Sequence, residues 1–106
     1  MAAFLSVTTT VDSREAADRI ALTLLEARLA ACVQIEGPVE SIYHWEGGLE
    51  RALEWRCTLK TRADLYPALE AALRAAHPYE TPEIMAHAVE YGGGDYLAWI
   101  EASTGP

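Results

Sequence analysis

The chain has 106 residues, of which 51% are hydrophobic, so its length suits one domain (residues 1–106) with a core of ordinary size. It carries 16 acidic and 8 basic residues, and this net charge of −8 argues against a nucleic-acid partner, which needs a basic surface. The N-terminus has no basic leader and no window holds the roughly 18 apolar residues of a membrane span, so we expect neither a signal peptide nor a membrane partner.

The two cysteines, Cys32 and Cys57, lack the CxxC spacing that is typical of metal or redox pairs. In a chain without an export signal we expect reduced thiols that serve as small core residues. The cysteine pattern therefore predicts a cytoplasmic protein.

The N-terminal third predicts a strand followed by a helix. The stretch AFLSVTTTV (3–11) is rich in β-branched and apolar residues, as strands are. Residues 12–30 predict a helix of about four turns that begins with Asp12 and Glu15 in a capping pattern. One face of this helix is apolar and comprises Ala17, Ile20, Ala21 and Leu24.

Three strands are predicted in the middle of the chain, at residues 31–36, 39–46 and 49–61. The pair Gly37-Pro38 separates the first from the second, and Gly47-Gly48 is predicted as a two-residue hairpin turn between the second and the third. That turn would place Ile42 opposite Leu53.

The C-terminal part predicts a helix over residues 64–77, capped by Asp64 and with Pro67 in its first turn. The chain then continues as a strand, a glycine loop and a short helix or turn, at residues 83–91, 92–94 and 95–103.

This order predicts a ferredoxin-like βαββαβ sandwich of the α+β class, with both helices on one face of an antiparallel sheet. The hairpin strands exceed the usual length of about 5–6 residues, so the hairpin should protrude. Two helices cover one face only, whereas aromatic residues lie on both, so we expect a second subunit on the other face. Its contacts would include Tyr43, Trp45 and, near the hairpin tip, His44.

Five motifs carry a resemblance to a known family by their order and spacing. They are ARLAACV (27–33), SIYHWEG (41–47), LKTR (59–62), HPYETPEI (77–84) and DYLAWI (95–100). Together they closely resemble the CutA family of divalent-cation tolerance proteins over nearly the whole chain. The resemblance implies a ferredoxin-like fold and a tight homotrimer around a threefold axis. It also implies clefts between subunits, as in nitrogen-regulatory signalling trimers.

The stretch AAHPYETPEIMAH (75–87) contains the candidate metal ligands. His77, Glu80 and Glu83 recur every three residues, a spacing that lines one face only in a helix, whereas Pro78 and Pro82 indicate extended backbone. His77 also has a structural interpretation, because a cation at a helix C-terminus stabilises the helix by roughly 0.3–1 kcal/mol. Both interpretations stay open.

The copper site proposed in the family takes a thiol from near the end of the first strand and histidine from the HPY segment. Here the strand positions are Thr8, Thr9 and Thr10, and Ala76 precedes His77, so the thiol and a paired histidine are missing. These departures argue against a tight copper(I) site and leave a weak, partly exposed Cu(II) or Zn(II) site at His77. No cofactor is otherwise required.

His87, in the last predicted strand, is expected to be partly buried or at an interface. The sequence carries no GxSxG motif and no phosphate-binding loop, so we do not expect an enzyme.

A pocket without metal, in the clefts between subunits, is the competing hypothesis. Its candidate residues combine one lysine, one imidazole, a carboxylate and aromatic walls: Lys60, His77, Tyr79, Glu83, Tyr96 and Trp99. Such a mixture suits a small anion or metabolite. Two functions stay open: a trimeric cytoplasmic protein of copper and other divalent-cation tolerance that binds ions weakly, and a signalling-type trimer that binds a metabolite or anion.

Overall fold

The computed structural model describes residues 3–106, which form four strands and three α-helices in the order βαββαβα. The elements are β1 (Phe4–Val11), α1 (Arg14–Glu26), β2 (Cys32–Trp45), β3 (Gly48–Arg62), α2 (Tyr66–Ala76), β4 (Met85–Ala88) and α3 (Gly94–Ser103). The strands form one sheet in the order β2-β3-β1-β4, and every neighbouring pair is antiparallel. The α+β class is therefore confirmed.

One face of the sheet packs against α1 and α2. Odd-numbered residues of β1 and β3 are directly paired, for example Val7 with Leu59 and Thr9 with Cys57, so their side chains share a face. They join the apolar stripes of both helices in one cluster whose centre is fully buried: Val7, Val11, Ile20, Leu24, Cys57, Leu59, Leu69 and Leu73. Cys57 is thus a core residue as predicted, and its burial raises the pKa of the thiol to about 11. The prediction is wrong for Cys32, which is only half-buried and pairs with Lys60 on the face of the sheet away from the core.

Helix α1 is shorter than predicted at both ends. Ser13, not Asp12, is the N-cap, and its hydroxyl accepts a hydrogen bond from the Ala16 amide at 3.1 Å. The helix ends at Glu26, and the backbone of Arg28 turns into the left-handed region with φ of 58°. The Arg28 guanidinium then donates to the carbonyl of Gly105 at 2.7 Å, which holds the C-terminal residues against this turn.

Helix α2 and strand β4 also differ from the predicted ranges. Asp64 does not cap α2, because it lies in a 3₁₀ turn and its carboxylate pairs with the Arg62 guanidinium at 3.0 Å. Pro67 lies in the first turn as predicted. Strand β4 has four residues and not the predicted nine (83–91), since only Met85 to Ala88 pair with β1.

The two strands predicted on either side of Gly37-Pro38 form one strand, β2, with a register shift between Glu36 and Val39. A glycine is required at this irregularity because a Cβ on Gly37 would lie 2.8 Å from Cδ1 of Trp55. The pair that was predicted to separate two strands therefore forms a bulge within one.

The hairpin turn lies one residue earlier than predicted. Glu46 and Gly47 are the two turn residues, with φ of 47° and 81°, and Trp45 pairs with Gly48. Ile42 consequently lies opposite Arg51 and not Leu53, which corrects the predicted register. Each pairing moves by two residues, so the residues predicted to share a face still share it.

The outer half of the hairpin extends beyond the sheet. Strand β1 pairs with β3 only from Trp55 to Arg62, so residues 39–54, here named the arm, form a two-stranded ribbon. The apolar side chains of the arm are largely exposed: Ile42 53%, Tyr43 41%, Trp45 52%, Leu49 71% and Leu53 59%. The radius of gyration is 14.3 Å, against about 13 Å for a compact domain of this length.

Across residues 3–106, no helix combines the length and the apolar character needed to cross a membrane.

Candidate functional site

His77 lies at the end of α2 and is 8% exposed, so it is buried and not partly exposed as the weak-metal hypothesis had it. Its Nε2 lies 3.0 Å from both the carbonyl oxygen of Thr10 and the hydroxyl of Thr9. Its Nδ1 accepts a hydrogen bond from the Tyr79 amide at 3.1 Å. The imidazole therefore joins α2 to β1 and fixes the backbone that follows.

These contacts assign a neutral tautomer to His77. Because Nδ1 accepts a hydrogen bond, the proton sits on Nε2, which donates to the Thr10 carbonyl. Burial lowers the pKa of His77 below its ordinary value of 6.5, against smaller raising effects from Thr10, Asp12 and Glu54. His77 therefore does not act as a cation at the helix terminus, which was the structural interpretation of its position.

The same contacts bear on metal binding. Both ring nitrogens of His77 are used inside the chain, so a metal ion would have to displace a hydrogen bond. Among residues 3–106, no three His, Cys, Asp or Glu side chains come together as a metal site would require. The residues of a single chain therefore do not fit a tight copper or zinc site.

Tyr79 extends the same corner to β3. Its hydroxyl donates to Oε2 of Glu54 at 2.7 Å, and its ring lies 4.9 Å from that of His77. Burial raises the pKa of Tyr79, with further contributions from Glu54, so the phenol stays protonated and remains a donor. Glu54 itself is 7% exposed.

A cavity of about 670 Å³, here named the arm cavity, lies between the arm and the segment that follows α2. The most buried of its lining residues are Thr10 and Glu54. Among the residues proposed from sequence, the arm cavity brings together Tyr43, His44, Trp45, Tyr79 and Glu83. His77 lies behind it, in contact with the backbone of Thr10.

The remaining candidates form a second group near the other end of β3. Lys60 pairs across the sheet with Cys32, and its Nζ donates to Oε1 of Gln34 at 3.0 Å. Tyr96 contacts Cys32. Burial is the main cause that raises the pKa of the Tyr96 phenol, and the neighbouring Cys32 thiol raises it further. The Tyr96 and Trp99 rings lie 5.5 Å apart on α3.

A single chain does not bring the six cleft candidates together. Glu54 and Lys60 are six residues apart on β3, a separation of about 20 Å in a strand. His77, Tyr79 and Glu83 belong to the end near Glu54, whereas Tyr96 and Trp99 belong to the end near Lys60. Their meeting in a cleft between subunits stays a prediction.

Sequence reasoning missed Glu54 and Thr10 and misjudged His87. The period of two in β3 put Glu54 on the face away from the helices, where a carboxylate is ordinarily solvated, and no local signal showed that Tyr79 covers it. His87 is exposed on β4, so the expectation of partial burial is wrong for one chain, and its role at an interface stays a prediction.

A family model described as CutA1 divalent ion tolerance protein matches residues 5–103. The chain belongs to the CutA1 family. The divalent-cation tolerance protein CutA of Thermus thermophilus is 42% identical over 96 residues, which cover 91% of this chain and 93% of that protein. The crystal structure of CutA1 from Shewanella sp. SIB1, described as a stable protein, matches with a TM-score of 0.94 at 41% identity. The match covers 97% of this CutA1 chain and 96% of the Shewanella chain.

A CutA from Archaeoglobus fulgidus, whose structure is described as that of a periplasmic divalent cation tolerance protein, also matches this CutA1 chain. Its TM-score is 0.91 at 39% identity, over 94% of this chain and 97% of that one. The family model and the Thermus and Archaeoglobus relatives carry names of tolerance proteins and not of enzymes. They support the family and its α+β fold with a four-stranded antiparallel sheet.

The burial of neutral His77 predicts a specific pH dependence of stability in this CutA1 protein. The pKa of His77 in the folded protein lies below its ordinary value of 6.5, which applies to the unfolded chain. At a pH between these two pKa values the unfolded chain binds more protons than the folded protein. Stability therefore falls as the pH falls through this window. Replacing His77 by Gln should lower the free energy of unfolding by about 1–3 kcal/mol at pH 7.5, through lost hydrogen bonds. The difference between wild type and variant should narrow below pH 6.5.

Urea unfolding at fixed protein concentration from pH 5 to 8 measures this difference. Arg19→Gln is the control for a glutamine substitution, because Arg19 lies on the exposed face of α1, and its free energy of unfolding should differ little from that of wild type. If the loss in free energy of unfolding caused by His77→Gln did not change with pH, the neutral state assigned to His77 would be contradicted.

Proposed function

We propose that this chain works as a cytoplasmic homotrimer that contributes to divalent-cation tolerance, without enzymatic activity. The observation that carries the assembly is the arm, in which five apolar side chains are 41–71% exposed. The accessible surface of 6465 Å² exceeds the about 5,800 Å² expected for a compact monomer of 11.6 kDa. A subunit that covers the arm would bury this excess.

The sheet supports the same assembly. Its order β2-β3-β1-β4 is compatible with the ferredoxin-like sandwich that the family resemblance implies, with α1 and α2 on one face. All four residues of β4 are exposed, and Met85 is 55% exposed. An edge strand exposed in this way favours contact with another subunit in a ring around a threefold axis.

The cytoplasmic location rests on the cysteines. Cys32 and Cys57 are both unpaired, and they lie on opposite faces of the sheet, since Cys32 pairs with Lys60 while Cys57 is an odd-numbered core residue. They cannot form a disulfide with each other in this fold. Free thiols suit a reducing compartment, in contrast to the periplasm named for the Archaeoglobus relative.

The metal role that we propose is weak binding of Cu(II) or Zn(II) near His77. The imidazole is the metal-binding group of this corner, and Glu80 and Glu83 follow it within six residues. Displacement of a hydrogen bond from His77 would accompany binding, which limits the affinity. A divalent-cation tolerance function of this kind would depend on exchangeable ions and not on a resident metal.

We expect sedimentation velocity at micromolar concentration to show a trimer of the 11.6 kDa chain. Replacing Trp45 by Ala should raise the dissociation constant of the assembly about tenfold or more, because buried tryptophans are among the residues that dominate interfaces. Tyr91→Ala is the matched control, since Tyr91 is an aromatic residue outside the arm and 91% exposed. The assembly proposal would be contradicted if the wild-type protein sedimented as a monomer, or if the two substitutions changed the dissociation constant equally.

The metal proposal predicts weak, saturable binding of Cu(II) or Zn(II) in calorimetry. Replacing His77 by Ala should abolish this binding, whereas His87→Ala should retain it, because His87 lies on a different segment and is exposed. Circular dichroism of both variants checks that the fold is kept. Equal binding by wild type and His77→Ala removes His77 from the site.

A signalling-type trimer that binds a small anion or metabolite between subunits is the second candidate. The observation that favours it is Lys60, which donates to an amide oxygen and takes part in none of the ion pairs formed by residues 3–106. Tyr96 and Trp99 lie on the helix that packs near this end of β3. A cation with an aromatic neighbourhood suits an anion such as a phosphate or an organic acid.

A thermal-shift screen against nucleotides, phosphate and organic acids measures this second candidate, because a ligand that binds the folded state raises its melting temperature. We expect stabilisation by an anion in wild type and its loss in Lys60→Gln. Arg19→Gln is the matched control, since it removes the same charge from the exposed face of α1. No stabilisation by any anion, or the same loss in both variants, counts against a site at Lys60.

A further inference from the structure

Helix α3 (Gly94–Ser103) has the smallest buried apolar face of the three α-helices. Ile100 alone of its ten residues, all of which the structure describes, is buried, whereas α1 buries five side chains. Its N-cap, Gly93, offers no side-chain hydrogen bond to the free amides of the first turn. A helix of this length is marginal in water without packing, so its position depends on the other contacts that hold it to the sheet.

Arg28, just beyond the end of α1, holds the C-terminal end of α3. Its Nε donates to the carbonyl of Gly105 at 2.7 Å, and its Nη2 donates to the carbonyl of Ala102 at 2.8 Å. The Arg28 carbonyl accepts in turn from the Gly105 amide at 2.8 Å. A cation at the C-terminus of a helix also interacts favourably with the helix dipole. One residue thus makes three hydrogen bonds to the segment that ends α3.

Arg62, at the end of β3, adds a longer contact to the same segment. Its Nη1 donates to the Thr104 carbonyl at 3.4 Å, while the Asp64 carboxylate holds the guanidinium through two contacts of 3.0 Å. Thr104 and Gly105 are buried, and a Cβ on Gly105 would lie 3.1 Å from Nη2 of Arg62. Residues 102–105 are therefore closely fitted against two arginines from different parts of the fold.

The backbone of Arg28 is strained for a residue with a side chain. Arg28 follows Ala27, the C-cap of α1, and has a φ of 58°, a left-handed conformation for which glycine is the usual residue after a helix. Such strain persists where surrounding contacts compensate for it, and the hydrogen bonds to Ala102 and Gly105 are contacts of that kind. The arginine at this position is therefore explained by its side chain and not by its backbone.

The opposite end of α3 follows a flexible link. Three consecutive glycines, Gly92 to Gly94, lead into the helix, and a link without side chains can adopt many backbone conformations and serve as a hinge. The helix carries Tyr96, which contacts the Cys32 thiol of β2. If the contacts at its C-terminal end were released, α3 could turn about the glycines and uncover Cys32.

We propose that α3 is a lid that opens as a unit, with glycines 92–94 as its hinge and Arg28 as its latch. In the closed state Tyr96 covers the Cys32 thiol. In the open state the hydrogen bonds of Arg28 to the end of α3 are broken, while the sheet, α1 and α2 stay folded. Elements that bury few side chains are the ones that open locally in this way. The lid is independent of the assembly, metal and anion proposals, although Tyr96 is one of the anion-site candidates.

Native-state hydrogen exchange, measured on the protein in the oligomeric state that it adopts in solution, tests the lid. We expect the amides of α3 to exchange faster than those of β1 and β3, through an opening whose rate rises less steeply with urea. Amides of β1 and β3 should exchange only through global unfolding. If the α3 amides were protected as strongly as those of β1, with the same urea dependence, the lid proposal would be wrong.

Two variants test Arg28 as the latch. Arg28→Gly removes the side-chain contacts and relieves the left-handed strain, so exchange of the α3 amides should accelerate about tenfold or more, with a smaller change in β1 and β3. Arg28→Gln, which keeps a side chain at this position, should also accelerate it. Arg19→Gln removes the same charge from the exposed face of α1 and should leave α3 unchanged.

Two results would overturn Arg28 as the latch. One is an unchanged exchange rate of α3 in both Arg28 variants. The other is an equal acceleration of α3 and β1, which would mean a loss of global stability and not the release of the lid.

Discussion

The buried imidazole of His77 is the contact on which the arrangement of the site depends. A buried polar group has to be hydrogen bonded, and His77 satisfies both nitrogens by joining the Thr10 carbonyl to the Tyr79 amide. This fixes the direction in which the backbone leaves α2. Tyr79 is thereby placed to donate to Glu54, and the segment that follows it closes one side of the arm cavity. The HPYETPE motif is therefore first a structural corner.

The same corner bears on the copper site that the family resemblance implies. Where the family resemblance implies a thiol near the end of the first strand, Thr9 offers a hydroxyl 3.0 Å from the Nε2 of His77. A hydroxyl and a carbonyl hold a neutral imidazole well, but they do not replace a soft thiolate ligand. The acidic chain, with a net charge of −8, can still attract cations diffusely.

Much of the fold follows from the sequence because periodicity and capping act locally. The alternation of Leu53, Trp55, Cys57 and Leu59 predicts a strand with one buried face, and Cys57 and Leu59 are fully buried on that face. The errors are also local. Asp12 and Ser13 are both good N-caps, and the sequence does not show which hydroxyl or carboxylate reaches the free amides. Glu46 adopts a positive φ and moves the turn by one residue, although the adjacent Gly47 and Gly48 favoured the later position.

The site was less predictable because its contacts join distant parts of the chain. Tyr79 and Glu54 are hydrogen-bonded across 25 positions, and His77 and Thr10 across 67. No periodicity connects such residues, so Glu54 was indistinguishable from any solvated carboxylate on an exposed strand face. The predicted candidates near the corner were found together, since HPYETPE and YHWEG border the same cavity. Lys60, Tyr96 and Trp99 were predicted with them but lie toward the other end of β3.

The arm is the part of the fold that the proposed assembly would stabilise most. A two-stranded ribbon alone is marginally stable in water, and residues 39–54 have no third strand beside them in one chain. The exposed side chains lie on both faces of this ribbon, since Ile42 and Tyr43 are adjacent and point to opposite sides. The helices of the same chain cannot cover both faces at once. A subunit that covers the arm, as proposed above, would therefore also stabilise this ribbon and the side of the arm cavity that the arm forms.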